Sequence, residues 1–547
     1  MNAKMIMSEY SQNSCFDMIR RRGIVRIYDL ADRGNLSLYE SLYRHIRDDI
    51  LSGNLLPDDR LPSKRSLAAD LGVSVITVEG AYRQLQAEGY IVSRERSGYY
   101  VRSIATRPHA TRPVSSRAVT SRPTFAVADF SSAPACSDRS FARLWEKTLR
   151  DVIAHESEQD LFARQPPQGS QRLRECIASW LARARGITTG PDRIVVAAGA
   201  PMLYGLVALM RGRRGRAGAV ALESPGYGMI KGIYETMGWR VAPMPLDAEG
   251  IDCSMLEKSA ASLVHVMPSH QFPTGRVTTV SRRYELLRWA SQAGDRYIVE
   301  DDYDWEFRLS GKPIPSLSSI DAEGKVIYLS TFSKSLSPSL RIAFGVFPSE
   351  LDEDLERVLG CFASTVGTID QIALVRLMES GGYERHVGRY RTKARAARDC
   401  LIGAFRESPI AGRLSYEECD SGLHFVLCVD TPARAEDIAR RAAERGVGLA
   451  PLERYDLGGM MAPDGRVRFV MQYDGIERET LMRAAVIVCE SIERAERRRR
   501  NSSRSSNGRQ TDDKQTDGRQ TDGRQTDGRQ TNGKHGDVRR ANDRSSR

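Results

Sequence analysis

At 547 residues, with 41% apolar side chains and a formal charge of +11, the chain exceeds a single small domain and is apolar enough to bury more than one core. Nine cysteines, odd in number and without a C-x-x-C pair, argue against a disulfide framework and a zinc cluster, so no metal site is expected. No stretch reaches the ~18 uninterrupted apolar residues of a transmembrane helix, and the N-terminus, with Asp17 and the triplet Arg20-Arg21-Arg22, lacks the apolar run of a secretory signal. These features predict a soluble cytoplasmic protein with no membrane partner.

The charge is uneven. Basic residues outnumber acidic ones by six over residues 1–124 and by eight over 497–547, whereas 125–496 carries a net −3. A basic end is what a phosphate backbone attracts.

After an N-terminal extension, residues 1–35, the segment 36–102 reads as a helical module with a hairpin. A first helix is expected over roughly 37–51. Ser63 then offers an N-cap, Leu67, Ala68 and Leu71 an apolar face, and Gly72 a stop. Ser74 can cap a second helix at once, in which Val78, Ala81, Tyr82 and Leu85 fall at i, i+3, i+4 and i+7. Thr77, Arg83 and Gln84 lie elsewhere on its surface. Two helices across so short a turn predict a helix-turn-helix whose second helix enters the major groove. Tyr90 to Val101, with Arg94 to Gly98 as a tip, supplies a wing.

Residues 103–124 repeat Arg-Pro among Ser, Thr and Ala with no acid, which predicts an extended linker. From about 500 the sequence becomes a near-tandem QTDGR repeat, too poor in apolar residues to pack, and a disordered tail is expected over 497–547. Between them, over 125–496, short β-rich runs alternate with helical periods, the pattern of a mainly parallel α/β sheet.

The polar residues of that region gather after the apolar runs. Ile194–Ala197 leads into Gly199 and Ala200, Ala219–Leu222 into Glu223-Ser224-Pro225-Gly226-Tyr227, Leu263–Val266 into His270 and Gln271, and Tyr297–Val299 into Glu300-Asp301-Asp302-Tyr303. Val326–Leu329 leads into the hydroxyl-rich turn Ser330 to Ser335, which holds Lys334. Ligands of open α/β sheets bind outside the carboxyl ends of strands, so these loops should converge on one site. An amine held in a turn after a strand suits a Schiff base, and pyridoxal 5′-phosphate (PLP) chemistry needs such an amine. It also needs a carboxylate at the pyridine nitrogen and an aromatic face over the ring. Lys334, Asp301 and Tyr227 are expected in those roles. Thr331, Ser333, Arg341 and the backbone after Gly199 and Ala200 would meet the phosphate. His270 reads as a polar wall residue.

With these motifs the N-terminal segment resembles the GntR-type winged helix. The whole of 36 to about 495 is similar to the MocR/GabR family, in which that module is fused to a fold-type I aminotransferase-like domain. The resemblance implies that Asp301, rather than Glu300 or Asp302, faces the pyridine nitrogen, and that Tyr303 binds the phenolic oxygen of PLP. It implies DNA contacts from Ser63, Arg65, Ser74, Thr77, Arg94 and Gly98, and a carboxylate clamp on an effector from Arg468. Three positions depart from the family. Val75 stands where recognition helices commonly carry Arg, Pro201 and Met202 where relatives often carry Gln, and Met229 where the 4-aminobutyrate-sensing branch has Arg, so 4-aminobutyrate is not expected as effector. The implied function is a homodimeric, PLP-dependent, DNA-binding transcriptional regulator that senses an amino compound by aldimine exchange at Lys334. The alternative is an active aminotransferase with an appended DNA-binding module.

Overall fold

The structure, a computed structural model, describes residues 28, 30, 36–103, 125–132, 139–212, 218–309, 314–417, 420, 422–461 and 465–512. The chain divides into two units, Met1–Ser121 and Arg122–Arg547. The extension 1–35 lies almost wholly outside the described residues, as do 104–124 of the expected linker and 513–547 of the tail.

In the first unit, α1 (Leu38–Leu51) buries Leu42, Tyr43, Ile46 and Ile50. These pack in one core with Val78, Ala81, Tyr82 and Leu85 of α3 (Val75–Ala87), the four positions that the helical period selects. Between them, α2 (Lys64–Leu71) starts where the Ser63 hydroxyl accepts from the Ser66 N–H at 3.1 Å. It stops at Gly72, whose φ of +65° is left-handed, a conformation glycine adopts without strain. Ser74 caps α3 by accepting from the Thr77 N–H at 3.1 Å, and the Tyr82 hydroxyl ties α3 to the Pro62 carbonyl at 2.9 Å. Two antiparallel strands, β1 (Ile91–Arg94) and β2 (Gly98–Val101), pair from Ile91–Val101 to Arg94–Gly98 and form the wing.

The second unit is built on a seven-stranded sheet. Its strands are β3 (Ile194–Ala197), β4 (Ala219–Ser224), β5 (Arg240–Pro245), β6 (Ala261–Val266), β7 (Tyr297–Asp301), β8 (Val326–Thr331) and β9 (Ala343–Val346). Their order is β3-β9-β8-β7-β6-β4-β5, and only β9 runs against its neighbours. Side chains alternate along each strand, and both faces find a core. Val195, Leu222, Val299 and Ile327 pack with Leu203, Val207 and Tyr234 on one side. Val196, Tyr328 and Phe344 on the other meet Leu173, Ile177 and Trp180. Burial on both faces is why these strands read as continuous apolar runs.

A smaller antiparallel sheet follows, formed by β10 (Leu414–Glu417), β11 (His424–Val429), β12 (Ala450–Pro451) and β13 (Val467–Gln472) in the order β10-β11-β13-β12. The helices Gly382–Arg406 and Arg478–Asp512 cover it through Leu401, Phe405, Leu481, Ala484, Val488 and Ile492. This last helix continues to Asp512, past residue 497. Its first half is anchored by buried apolar residues, and a helix once nucleated extends at low cost through a stretch that lacks proline. No helix among the described residues is long and apolar enough to cross a membrane.

Candidate functional site

The carboxyl ends of β3, β4, β6, β7 and β8 bring together the loops that the sequence singles out. Lys334 sits half-buried in the turn after β8. A cavity beside it is lined by Phe272, Tyr303, Asp304, Leu423, His424, Gln472 and Asp474.

The three consecutive acids at the end of β7 have separate duties. Glu300 accepts from the Leu317 and Ser318 N–H groups, each at 2.8 Å, and so holds the start of the Leu317–Ile320 helix. Asp302 is fully buried and paired with Arg185 Nε at 2.7 Å, and it accepts from the Tyr328 hydroxyl at 2.9 Å. Glu300 is therefore consumed by the scaffold, and Asp302 is tied to it through Oδ2. Asp301 differs in its partners: its Oδ2 accepts from the Tyr204 hydroxyl at 2.5 Å and lies 3.6 Å from His265 Nε2 rather than on an arginine, while its Oδ1, like that of Asp302, is buried and unpartnered. A buried carboxylate oxygen without a donor costs about 1–3 kcal/mol, and the cationic N–H of a pyridinium would satisfy it. Burial, and next the Asp301 charge, hold the Tyr204 hydroxyl protonated well above its ordinary range, so it remains a donor to Asp301.

A second cluster forms at the start of the helix Ala200–Arg211. Gly199 takes φ +87°, and a Cβ there would fall 2.4 Å from the Arg341 guanidinium. Arg341 itself has φ +52°, a left-handed conformation that costs a non-glycine residue on the order of 1 kcal/mol and points to a constrained function. Nearby in sequence, the Ser333 hydroxyl is buried without a partner. Arginine, serine hydroxyl and helix N-terminus together suit a phosphate. Pro201 lies in the first turn of the helix and removes one donor. The Gly199 N–H is spent on the Ala197 carbonyl at 2.7 Å, leaving Ala200 as the N–H nearest the helix start. Thr331 departs from expectation, since its hydroxyl accepts from the Ser333 N–H at 3.1 Å and donates to the Ile342 carbonyl at 3.2 Å. It braces the turn rather than facing a ligand.

These features predict the effect of Gly199→Ala. The added methyl displaces Arg341 while the rest of the unit folds as before, so PLP affinity should fall at least tenfold, about 1.4 kcal/mol. Titrating PLP against intrinsic fluorescence measures this.

Tyr227 stands at the start of the helix Gly228–Thr236, edge-on to Phe272 with ring centroids 5.5 Å apart. Tyr303, beside Lys334, has its hydroxyl 3.2 Å from His270 Nδ1. His270 in turn is 2.8 Å from Asp304 Oδ2, and its ring lies 4.4 Å from that of His424. Burial, then His270 and Lys334, push the His424 imidazole well below its ordinary range, so it is neutral. Sequence reasoning missed Asp304, His424 and Asp474. Asp304 is the fourth acid of a run whose members look alike in sequence, and the other two come from the distant smaller sheet.

Arg468 is not brought to the cavity. It lies on β13 opposite Cys428, with its Nε 3.7 Å from Glu417. Gln472, which does line the cavity, is four residues further, about 13 Å along the strand.

In the first unit, Arg65, Val75, Ile76 and Arg83 are exposed. The Ser63 and Ser74 hydroxyls cap helices, and the Thr77 hydroxyl is 2.8 Å from that of Ser74. Arg94 pairs with Asp58 and lies over the Tyr100 ring, 4.3 Å from its centroid, so it stiffens the wing. Arg96, with φ +58°, is a second exposed cation at the tip. Gly98, with φ +115°, leaves room for Arg60, whose Nε would be 3.4 Å from a Cβ.

Residues 38–101 match the family of bacterial regulatory proteins of the gntR type, and 135–484 match aminotransferase class I and II. Among relatives, the uncharacterized HTH-type transcriptional regulator YhdI of Bacillus subtilis is 34% identical over 429 residues, covering 77% of this chain and 90% of that protein. The probable rhizopine catabolism regulatory protein MocR of Rhizobium meliloti is 30% identical over 480 residues, covering 84% and 95%. Among solved structures, a multiple substrate aminotransferase from Thermococcus profundus shares the fold of the second unit, with a TM-score of 0.60 at 21% identity over 70% of this chain and 94% of that one. A winged helix followed by an aminotransferase fold, and similarity to such regulators across nearly their whole length, place this chain in the MocR/GabR family of GntR-type transcriptional regulators fused to a class I and II aminotransferase domain.

Proposed function

We propose that this regulator holds PLP on Lys334 and reads an amino compound there, altering its grip on DNA. Asp301 carries the reading: it is a buried carboxylate at the end of β7 with Oδ1 open and with a tyrosine and a histidine as its partners, whereas Glu300 is spent on a helix start and Asp302 on Arg185. When bound, PLP supplies an aldehyde for which Lys334 and an effector amine compete, and a ring that draws electrons. Asp301 keeps the ring nitrogen protonated, with Tyr204 and His265 fixing the carboxylate. Tyr303 donates to the phenolic oxygen. Ser333, Arg341 and the Ala200 N–H hold the phosphate, and Tyr227 covers the ring. The protein acts in the cytoplasm as a homodimer whose two winged helices span paired half-sites, and effector binding shifts the balance between two arrangements of the dimer.

On the DNA side, α3 enters the major groove with Ser74 and Thr77 at its start. Val75 and Ile76, exposed by 42% and 80%, suit thymine methyl groups rather than the guanine edge that an Arg would read. Arg65 meets phosphate. Arg65→Ala should weaken binding to all sequences alike and lower the slope of log affinity against log salt by about 1, as fluorescence anisotropy of labelled duplexes at several salt concentrations would record.

The competing reading, a working aminotransferase, uses the same Lys334, Asp301 and Tyr303. Anisotropy of labelled upstream DNA with the PLP-loaded chain, over a panel of amino compounds and 2-oxo acids, separates the two. A change in DNA affinity without sustained conversion of the oxo acid supports regulation. Sustained conversion with unchanged affinity makes the chain an enzyme.

A further inference from the structure

Tyr303, His270 and Asp304 meet in a buried row beside Lys334. His270 and Asp304 are each 2% exposed, and the imidazole Nδ1 is 2.8 Å from Asp304 Oδ2 and 3.2 Å from the Tyr303 hydroxyl. An ionised carboxylate only accepts hydrogen bonds, so Nδ1 carries the proton and donates to Asp304. The Tyr303 oxygen therefore faces an N–H and not a lone pair. Its own proton cannot point at Nδ1, and its choice lies between the Asp304 carboxylate, which is within hydrogen-bond reach, and an acceptor in the Lys334 cavity, which Tyr303 lines. By donating to Asp304, the imidazole competes for that carboxylate and leaves the hydroxyl to the cavity.

The pair is built in firmly. Gly422, with φ +72°, abuts His270 so closely that a Cβ would fall 1.8 Å from the imidazole Cε1, and the His424 ring packs against the other side at 4.4 Å. His424 is anchored in turn by the Pro273 carbonyl. The titratable and charged groups facing the imidazole are thus Asp304, Tyr303 and His424, with Lys334 and Asp474 across the cavity and Arg185 and Arg308 lining a second cavity with His270 and Asp304. Without the imidazole, the Asp304 carboxylate loses its competing donor, becomes the stronger acceptor for the Tyr303 hydroxyl and would draw it away from the cavity.

We infer that His270 and Asp304 form a positioning pair that fixes Tyr303 as a hydrogen-bond donor into the Lys334 cavity, aimed at the phenolic oxygen of PLP. This rests on the reading that the cavity takes PLP. Donation to a phenolate stabilises it, so losing the donor makes the protonated form of the bound cofactor persist to higher pH. A hydrogen bond to a charged group is worth about 1.5–3 kcal/mol, equivalent to roughly one to two pH units.

The test is a pH titration of the visible absorbance band of the PLP-loaded protein, with PLP affinity measured alongside, for wild type, His270→Leu, His270→Asn, Tyr303→Phe and the double variant His270→Leu/Tyr303→Phe. In His270→Leu the midpoint should rise by about one unit or more and PLP affinity should fall. His270→Asn, whose amide can still donate, should restore much of both. The double variant should shift no further than Tyr303→Phe alone, because the two residues act as one unit. A wild-type band with the His270→Leu midpoint unmoved, or shifts that add in the double variant, would overturn the inference and leave the PLP reading standing. No band in the wild type would overturn both. Should His270→Leu fail to fold, Asp304→Asn against Tyr303→Phe provides the same cycle.

Discussion

Lys334→Ala is expected to bind PLP without holding it covalently: the visible band of the wild-type complex disappears, and no amino compound changes the spectrum of the variant. Asp301, Arg341, Ser333 and the Ala200 N–H remain in place, since Lys334 is half-buried in a turn that Thr331 braces through the Ser333 N–H and the Ile342 carbonyl. Noncovalent affinity should therefore persist, lowered by roughly ten- to a hundredfold, about 1.4–2.8 kcal/mol. Dialysis separates the cases, because wild type retains PLP and the variant loses it. Thermal melts of the two apo proteins should differ little, as the amine makes no hydrogen bond among the described residues and acts on the buried Asp474 through its charge alone. DNA binding by the variant should be insensitive to every amine that affects wild type.

The largest loss of stability is expected at Arg185→Ala. The Arg185 and Asp302 side chains are 2% and 0% exposed, with Nε and Oδ2 2.7 Å apart. The remaining guanidinium nitrogens donate to the Ile314 carbonyl and the Ser269 hydroxyl, both at 2.7 Å. Removing the arginine strands Asp302 and two other acceptors in the interior, which costs about 3–5 kcal/mol for a buried pair broken on one side. Replacing both members together, as Arg185→Met with Asp302→Leu, should cost less than Arg185→Ala alone, since no charge is then left unpaired. Denaturant unfolding of the second unit, followed by near-ultraviolet circular dichroism, gives both numbers. Because Asp302 lies between Asp301 and Tyr303, the single variant should also lose PLP binding, while the winged helix keeps its affinity for DNA.

Much of this site was legible in the sequence because its parts follow apolar strands. Lys334, Asp301, Tyr227 and Gly199 each sit just past a run buried on both faces of the sheet, and that pattern is hard to produce otherwise. The winged helix was equally readable from its caps at Ser63 and Ser74 and its stop at Gly72. What the sequence hid was side-chain direction. Nothing in a run of Glu300-Asp301-Asp302-Tyr303-Asp304 tells which acid is spent on a helix start, which on an arginine and which on an imidazole. Thr331 and Ser333 look alike in the turn, yet one hydroxyl braces the backbone and the other is left open. Arg94 reads as a wing-tip cation until Asp58, 36 residues earlier, takes it. Arg468 reads as a clamp near the domain end, but the register with β11 sets it opposite Cys428, away from the end of the sheet where His424 meets His270. Two strands of the seven-stranded sheet also escaped notice. β5 carries Pro243 and Pro245, tolerable because it is an edge strand, and β9 is only four residues long.

The central claim is that amine capture at Lys334 and DNA affinity are one equilibrium. The most direct measurement records visible absorbance and the anisotropy of labelled operator DNA on the same PLP-loaded sample as an amino compound is added. Linkage requires that an effector bound more tightly by one DNA-binding state shift the other reading in step. The two curves should share a midpoint after correction for DNA concentration, and both should be flat in Lys334→Ala. A spectral change that saturates while DNA affinity stays constant would contradict the coupling, and so would a DNA response that survives in Lys334→Ala.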